Sequence, residues 1–306
     1  MSTEIAGGTA LVPPAALDTE GGGRRLRRFA PFLPAAFILI GLFFVPLAIM
    51  FVFSLWDTNE NLDVVPRWSL DNYINFFSNT TYVRSLGKTM IMGAAVTVAC
   101  LVTAFAVAYF LARYVSRRWA RLALLFIIVP FWTSYLLRVY SWQAILGEKG
   151  ALNQLLMGLG LISEPSRLFV YNDMGTFIVL VYVYVPFAAL VLYASLERFD
   201  FTQLTAAQDL GASPARAFRH VLLPQIRPGL ITACIFVFIP ILGEFLTPSM
   251  VGGASGLLIA NLVANFFKNA LIPEGAAVGF LIAAFVLVLL IIFRKYLRVE
   301  DVYTRG

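Results

Sequence analysis

The sequence predicts an all-α membrane protein of six transmembrane helices, and three observations carry that reading. First, 60% of the residues are hydrophobic, only 13% are charged and the mean hydropathy is +0.82. A soluble domain carries about a quarter charged residues, and this much apolar surface would lie in water as aggregating patches. Second, six apolar runs, at about 32–55, 89–111, 122–140, 174–196, 230–251 and 276–293, approach the roughly 20 residues that cross ~30 Å of hydrocarbon. Third, the basic residues are segregated along the chain.

Residues 1–23 are small, Gly/Pro-rich and weakly patterned, the composition of a disordered tail. Arg24, Arg25, Arg27 and Arg28 follow, ahead of the first run. That run is longer than the apolar core of a signal peptide and no small-residue cleavage site closes it, so it is expected to remain as a helix. Pro34, Pro46, Pro130, Pro186 and Pro240 interrupt several runs, which membrane helices tolerate where neighbours satisfy the freed backbone.

Sixteen Lys and Arg residues fall in four segments: residues 24–28, 113–121, 198–227 and 294–305. The alternate loops hold only Arg67, Arg84, Lys88, Lys149, Arg167 and Lys268. Basic loops stay in the cytoplasm, so both termini are expected there. The net charge of +6 therefore reflects topology rather than nucleic-acid binding. The expected organisation is a cytoplasmic tail with its basic cluster (1–29), a transmembrane domain (30–295) and a cytoplasmic tail (296–306).

Cys100 and Cys234 both lie in apolar runs and suggest neither a disulfide nor a metal site. Gly87-Lys88-Thr89 resembles the end of a P-loop, but Tyr82 occupies the first glycine position and no strand precedes it. One loop histidine, His220, and one intramembrane glutamate, Glu244, do not make the constellation a membrane-embedded hydrolase needs. No catalytic residue is predicted. Outside the runs, residues 151–157 have the pattern of a short surface helix.

The loop at 197–229 is long for a compact bundle, and such loops are functional or disordered. Asp200 followed by Gln203 suggests a capping box opening a short helix. Gly211 is placed to end that helix in the left-handed conformation, and Ser213-Pro214 supplies a cap and first-turn proline for a second. Pro224 and Pro228 are expected to bend the chain toward the fifth crossing. On spacing alone, a helix that only anchors the loop at the interface fits equally.

The run TAAQDLGASPARAFRHVLLP (205–224) resembles the cytoplasmic coupling motif of ABC importer permeases: EAA, three residues, G, nine residues, I, one residue, LP. Ala206, Ala207, Gly211, Leu223 and Pro224 are in register, and Val221 replaces the isoleucine. Thr205 stands where the family has glutamate. The stretches at 130–156, 182–200 and 239–253 are similar to the putrescine/spermidine permease branch. The resemblance implies a type I importer bundle in a bacterial inner membrane. It implies a second, related permease subunit, an extracytoplasmic solute-binding protein and a cytoplasmic ATPase dimer holding the ATP and Mg; no cofactor is expected on this chain. It also implies that Thr205, Ala206, Ala207, Asp209, Gly211, Ser213, Pro214, Leu223 and Pro224 form the part seated on the ATPase. The solute it implies is a polyamine. The same architecture also suits iron(III), thiamine, an opine or a phosphonate, and a channel or embedded enzyme is a different class again.

Ionisable residues within the runs are costly and mark function or structure. If the helices are straight, Arg138 lies about 24 Å along the third run from Leu122, and Glu244 about 21 Å along the fifth from Leu230. Similar depths suggest an Arg138–Glu244 ion pair. The alternative is that Glu244 guides a cationic solute, with Trp132, Tyr135, Tyr182 and Tyr184 offering ring faces to an ammonium.

Overall fold

The computed structural model describes residues 33–297 of the chain. The expected N-terminal tail with its arginine cluster, and most of the C-terminal tail, lie outside them. Two compact units divide between Ile49 and Met50. Helix α1 (Leu33–Ser54) carries no charged residue and no one-sided apolar stripe, as suits a helix surrounded by hydrocarbon or protein on all sides. The description below concerns residues 50–297.

After α1, a two-stranded ribbon, β1 (Asp57–Thr58) with β2 (Val64–Val65), leads to the short helix α2 (Asp71–Ser78). Helix α3 (Thr80–Tyr114) and, later, α7 (Asp173–Leu196) form the centre of the bundle. Val96, Cys100, Ala104 and Ala108 recur every fourth residue on α3, fully buried, and Cys100 Sγ lies 3.7 Å from the Val181 carbonyl of α7. Helices attract weakly in lipid, so small residues that permit close backbone approach and dense contact supply the packing energy. Ion pairs mark both ends of the α3–α7 pair. Lys88 meets Asp173 at 2.6 Å, and Arg117 and Arg121 lie 3.6 and 3.9 Å from Glu197. The two helices therefore run in the same direction.

The third apolar run is not one straight helix. Helix α4 (Arg117–Ile128) passes into a 3-10 turn, Val129–Trp132, and the chain then turns by 92° into α5 (Tyr135–Leu146) and α6 (Ala151–Gly158). Pro130 opens the turn, and Thr133 and Ser134 are extended. A proline supplies no N–H to the helical ladder, so helical pairing lapses where hydropathy sees an unbroken apolar run.

The fifth run is also cut. A continuous helix, α9 (Pro214–Leu242), follows the short α8 (Thr202–Asp209). Pro224 and Pro228 do not break it. A π turn at Phe218–Leu222 widens the helix just ahead of Pro224, relieving the ring's conflict with the preceding turn. Gly229 lets α9 pass α7, since a Cβ there would collide with Ser195. The helix stops at Leu242, and a short α10 (Leu246–Val251) and α11 (Ile259–Lys268) precede α12 (Ile272–Leu297).

Among the described residues, four helices are long and apolar enough to cross a bilayer, or five if the bent pair counts as one span. Buried polar side chains hold the irregular backbone. Asn261, 4% exposed, donates to the Phe245 carbonyl (2.8 Å) and Ser249 Oγ (2.7 Å), and accepts from the Leu258 N–H (2.9 Å). The Thr89 hydroxyl accepts from the Ile259 N–H at 2.8 Å. Asn261→Ala strands these groups. The expected loss is about 2 kcal/mol, seen as a lower midpoint of thermal aggregation in detergent; an unchanged midpoint would show that Asn261 does not hold the break.

Candidate functional site

Two features stand out. One is the break between α9 and α10. Gly243 ends α9, and Glu244, only 8% exposed, turns its carboxylate inward. Oε1 accepts the backbone N–H groups of Leu246 and Thr247, both at 3.1 Å, and so satisfies donors that the start of α10 leaves open. Oε2 accepts the Tyr135 hydroxyl of α5 at 2.8 Å and the Tyr184 hydroxyl of α7 at 3.4 Å. The Tyr135 and Thr247 hydroxyls lie 2.6 Å apart. Three helices thus converge on one carboxylate, and among the described residues every donor to it is neutral.

The expected Arg138–Glu244 ion pair is not formed. The guanidinium of Arg138 lies 4.3 Å from the centre of the Phe131 ring and 5.5 Å from that of Tyr135. Its Nε and Nη1 are buried without hydrogen-bond partners. Equal depths for Arg138 and Glu244 hold only in straight helices, whereas the 92° turn precedes Arg138 and the α9–α10 break contains Glu244.

Of the four aromatic candidates, Tyr135 and Tyr184 meet at Glu244. Trp132 is 82% exposed, and Tyr182 packs against Trp142 with ring centres 5.0 Å apart. Sequence reasoning missed Thr247, although it lies one helical turn beyond Glu244, and it missed Gln143, whose side-chain amide donates to the Met250 carbonyl at 2.8 Å.

The second feature is the loop at 197–229. Helix α8 is followed by Gly211 at φ +89°, a left-handed conformation open to glycine at little cost. Ser213 caps the next helix by accepting the Arg216 N–H at 3.4 Å, with Pro214 in its first turn. The capping box is not formed. Asp200 instead accepts the N–H and hydroxyl of Thr202, at 3.0 and 2.8 Å. The Thr202 hydroxyl, then its N–H, hold the Asp200 carboxyl below the usual carboxylate range.

Helix α8 anchors through one side. Leu204 is buried and Ala207 packs partly against the core, and Gln225 of α9 donates to Gln203 at 2.6 Å. Thr205, Ala206, Asp209 and Gly211 are exposed, and Leu210 is 90% exposed at the tip. Leu223 and Pro224 are exposed farther on, as is His220, whose Nδ1 lies 3.0 Å from the Arg216 carbonyl. A rigid, capped element thus presents a largely uncovered face.

Among known proteins, the chain is similar to the spermidine/putrescine transport system permease protein PotB of Haemophilus influenzae, 34% identical over 74% of this chain and 78% of that protein. The Escherichia coli K12 protein of the same name is 38% identical over 66% and 72% of the two chains. The crystal structure of a bacterial ABC transporter involved in the import of the acidic polysaccharide alginate contains a chain of the same fold. That chain superposes with a TM-score of 0.72 at 15% identity, covering 91% of this chain and 97% of its own. Residues 104–298 match the family described as binding-protein-dependent transport system inner membrane component. This chain belongs to that family, as a transport permease subunit rather than an enzyme.

Proposed function

We propose that this chain forms part of the membrane pathway of an ATP-driven importer for polyamines. Glu244 is the point at which its cationic solute is attracted and passed on. The observation that carries the reading is the Glu244 carboxylate, buried in a helix break with no cation among the described residues paired to it. A carboxylate in a low-dielectric passage attracts an ammonium far more strongly than one in water. Its hydrogen bonds come from hydroxyls and backbone N–H groups, and a hydroxyl can turn to accept from a passing ammonium. The tyrosine rings add weak cation–π attraction. Binding must stay loose enough for release, and a single carboxylate meets that need better than a cluster. The names of the relatives support the polyamine class.

In this reading the chain crosses the membrane six times with both termini in the cytoplasm: α1, α3, the bent α4–α5 segment, α7, α9 and α12. Residues 30–295 form the transmembrane domain between two tails. A second, related permease subunit completes the pathway, and a solute-binding protein delivers the solute from outside. An ATPase dimer, holding ATP and Mg, seats the face made by Thr205, Ala206, Ala207, Asp209, Gly211, Ser213, Pro214, Leu223 and Pro224. Movement of the ATPase reaches the bundle because α8 is anchored by Leu204 while α9 continues unbroken from Pro214 to Leu242.

The reading is tested by uptake of labelled spermidine and putrescine in cells carrying Glu244→Gln. Wild-type rates in that variant would remove Glu244 from the pathway. The orientation has its own test in a Cys100→Ala, Cys234→Ala background. Single cysteines at Ser116 and Ser213, both exposed, should resist impermeant thiol reagents in intact cells, and one at Ser163 should react. The reverse pattern would invert the topology.

A further inference from the structure

At the end of the bundle away from the 197–229 loop, α2, the first turns of α3 and α12 and the end of α11 line a polar cavity of about 460 Å³ that is open to the outside. Its wall includes Glu274, Asn72, Asn75, Asn79 and Tyr82. The Thr58 hydroxyl donates to Glu274 Oε2 at 3.0 Å, and among the described residues no Lys, Arg or His is paired with this carboxylate. The Asn72 side-chain amide already donates to the Ser54 and Trp56 carbonyls, at 3.1 and 2.7 Å, so its oxygen is the group left to offer. Asn79 is the reverse: its oxygen accepts the Thr81 N–H at 2.9 Å, which leaves an NH₂ donor. Tyr82 stands between Phe76 and Phe266, with ring centres 6.1 and 5.5 Å away.

Phe76 and Val278 separate this cavity from a second one of about 300 Å³. The second is lined only by apolar side chains, among them Leu86, Met90 and Leu281. Phe77 and Phe285, also in its wall, are exposed, so it opens on the outside of the chain.

We infer that the two cavities together bind an aminophospholipid: its ammonium at Glu274, its phosphate toward Asn79, and an acyl chain in the apolar cavity. An ammonium is suited by a carboxylate, an amide oxygen and aromatic faces, and a phosphate by an amide donor. A free diamine or polyamine could occupy only the polar cavity, because its ammonium groups would find no partners in the hydrocarbon-lined one, so the acyl chain gives the lipid the advantage. An anionic lipid without an amine would face the Glu274 carboxylate with like charge.

The test uses the chain purified with its partner subunits from membranes containing phosphatidylethanolamine and phosphatidylglycerol, with retained lipids quantified by mass spectrometry. The wild-type complex should retain phosphatidylethanolamine over phosphatidylglycerol about fivefold above the bulk membrane ratio. Glu274→Gln should return the ratio to bulk. Asn75→Lys should do the same by placing a cation at the cavity; Asn75 is exposed, so this variant keeps the test open if Glu274→Gln folds poorly. Excess free spermidine should leave the lipid in place. A bulk-like ratio in the wild type, enrichment that survives both variants, or displacement of the lipid by spermidine would each overturn the inference.

Discussion

Glu244→Gln is expected to assemble at the wild-type level and to lose polyamine uptake by about 10- to 100-fold, equivalent to ~1.4–2.8 kcal/mol of lost solute interaction. The substitution separates charge from structure. A glutamine oxygen still accepts the Leu246 and Thr247 N–H groups that cap α10. Its NH₂ then faces the Tyr135 and Tyr184 hydroxyls, which can rotate to accept. What disappears is the negative charge. Glu244→Ala removes the acceptor as well, so it should also lower the amount of folded subunit, by about 2–3 kcal/mol of stability. Membrane abundance measured beside uptake distinguishes the two variants. A Glu244→Gln variant that fails to accumulate would point to a structural carboxylate. One that accumulates and transports normally would remove Glu244 from the solute's path.

Hydropathy gave both ends of α7 and α12 and the C-terminal end of α3 to within about four residues, because a long apolar run has few other ways to satisfy its backbone in a membrane. Helix α3 starts nine residues earlier than expected, at Thr80, through a polar first two turns that hydropathy does not register. The 197–229 loop was legible for a different reason: Gly211, Ser213 and Pro214 each have one strong backbone preference, and the structure uses all three. Hydropathy says nothing about chain direction, and that is where the reading failed. The turn after Trp132 and the break at Gly243–Phe245 lie inside runs that look continuous, yet they decide which polar groups meet. Pro130 marked the first. The second carried a weaker sign, the polar or small residues Gly243, Glu244, Thr247 and Ser249 close together. The Asp200–Gln203 box failed because Thr202, between them, offers Asp200 two nearer donors.

Gly211→Pro is expected to reduce transport below about a tenth of wild type while the associated ATPase continues to hydrolyse ATP. Proline fixes φ near −65°, whereas Gly211 sits at +89°. It also removes the N–H that donates to the Gln208 carbonyl at 2.9 Å. The end of α8 must then reorganise at the face proposed to meet the ATPase. Gly211→Ala meets open space and bears only the left-handed backbone cost of about 1–2 kcal/mol, so it should transport at an intermediate rate. Thr205→Glu, at an exposed position, should be tolerated. Uptake and ATP hydrolysis measured on the same membranes report coupling directly, and full transport by Gly211→Pro would sink the assignment of α8.

Reconstitution tests ATP-driven polyamine import by this chain most directly. The chain would be co-expressed with the second permease, ATPase and binding-protein subunits that the proposed function requires, purified as a complex and placed in liposomes. Labelled spermidine and putrescine would be supplied with the binding protein on one face and ATP with Mg on the other. The expected result is accumulation against a gradient that requires ATP, Mg and the binding protein together, and that falls sharply with Glu244→Gln. Flux that proceeds without ATP, or a complex that hydrolyses ATP in response to a different solute and ignores both polyamines, would contradict it.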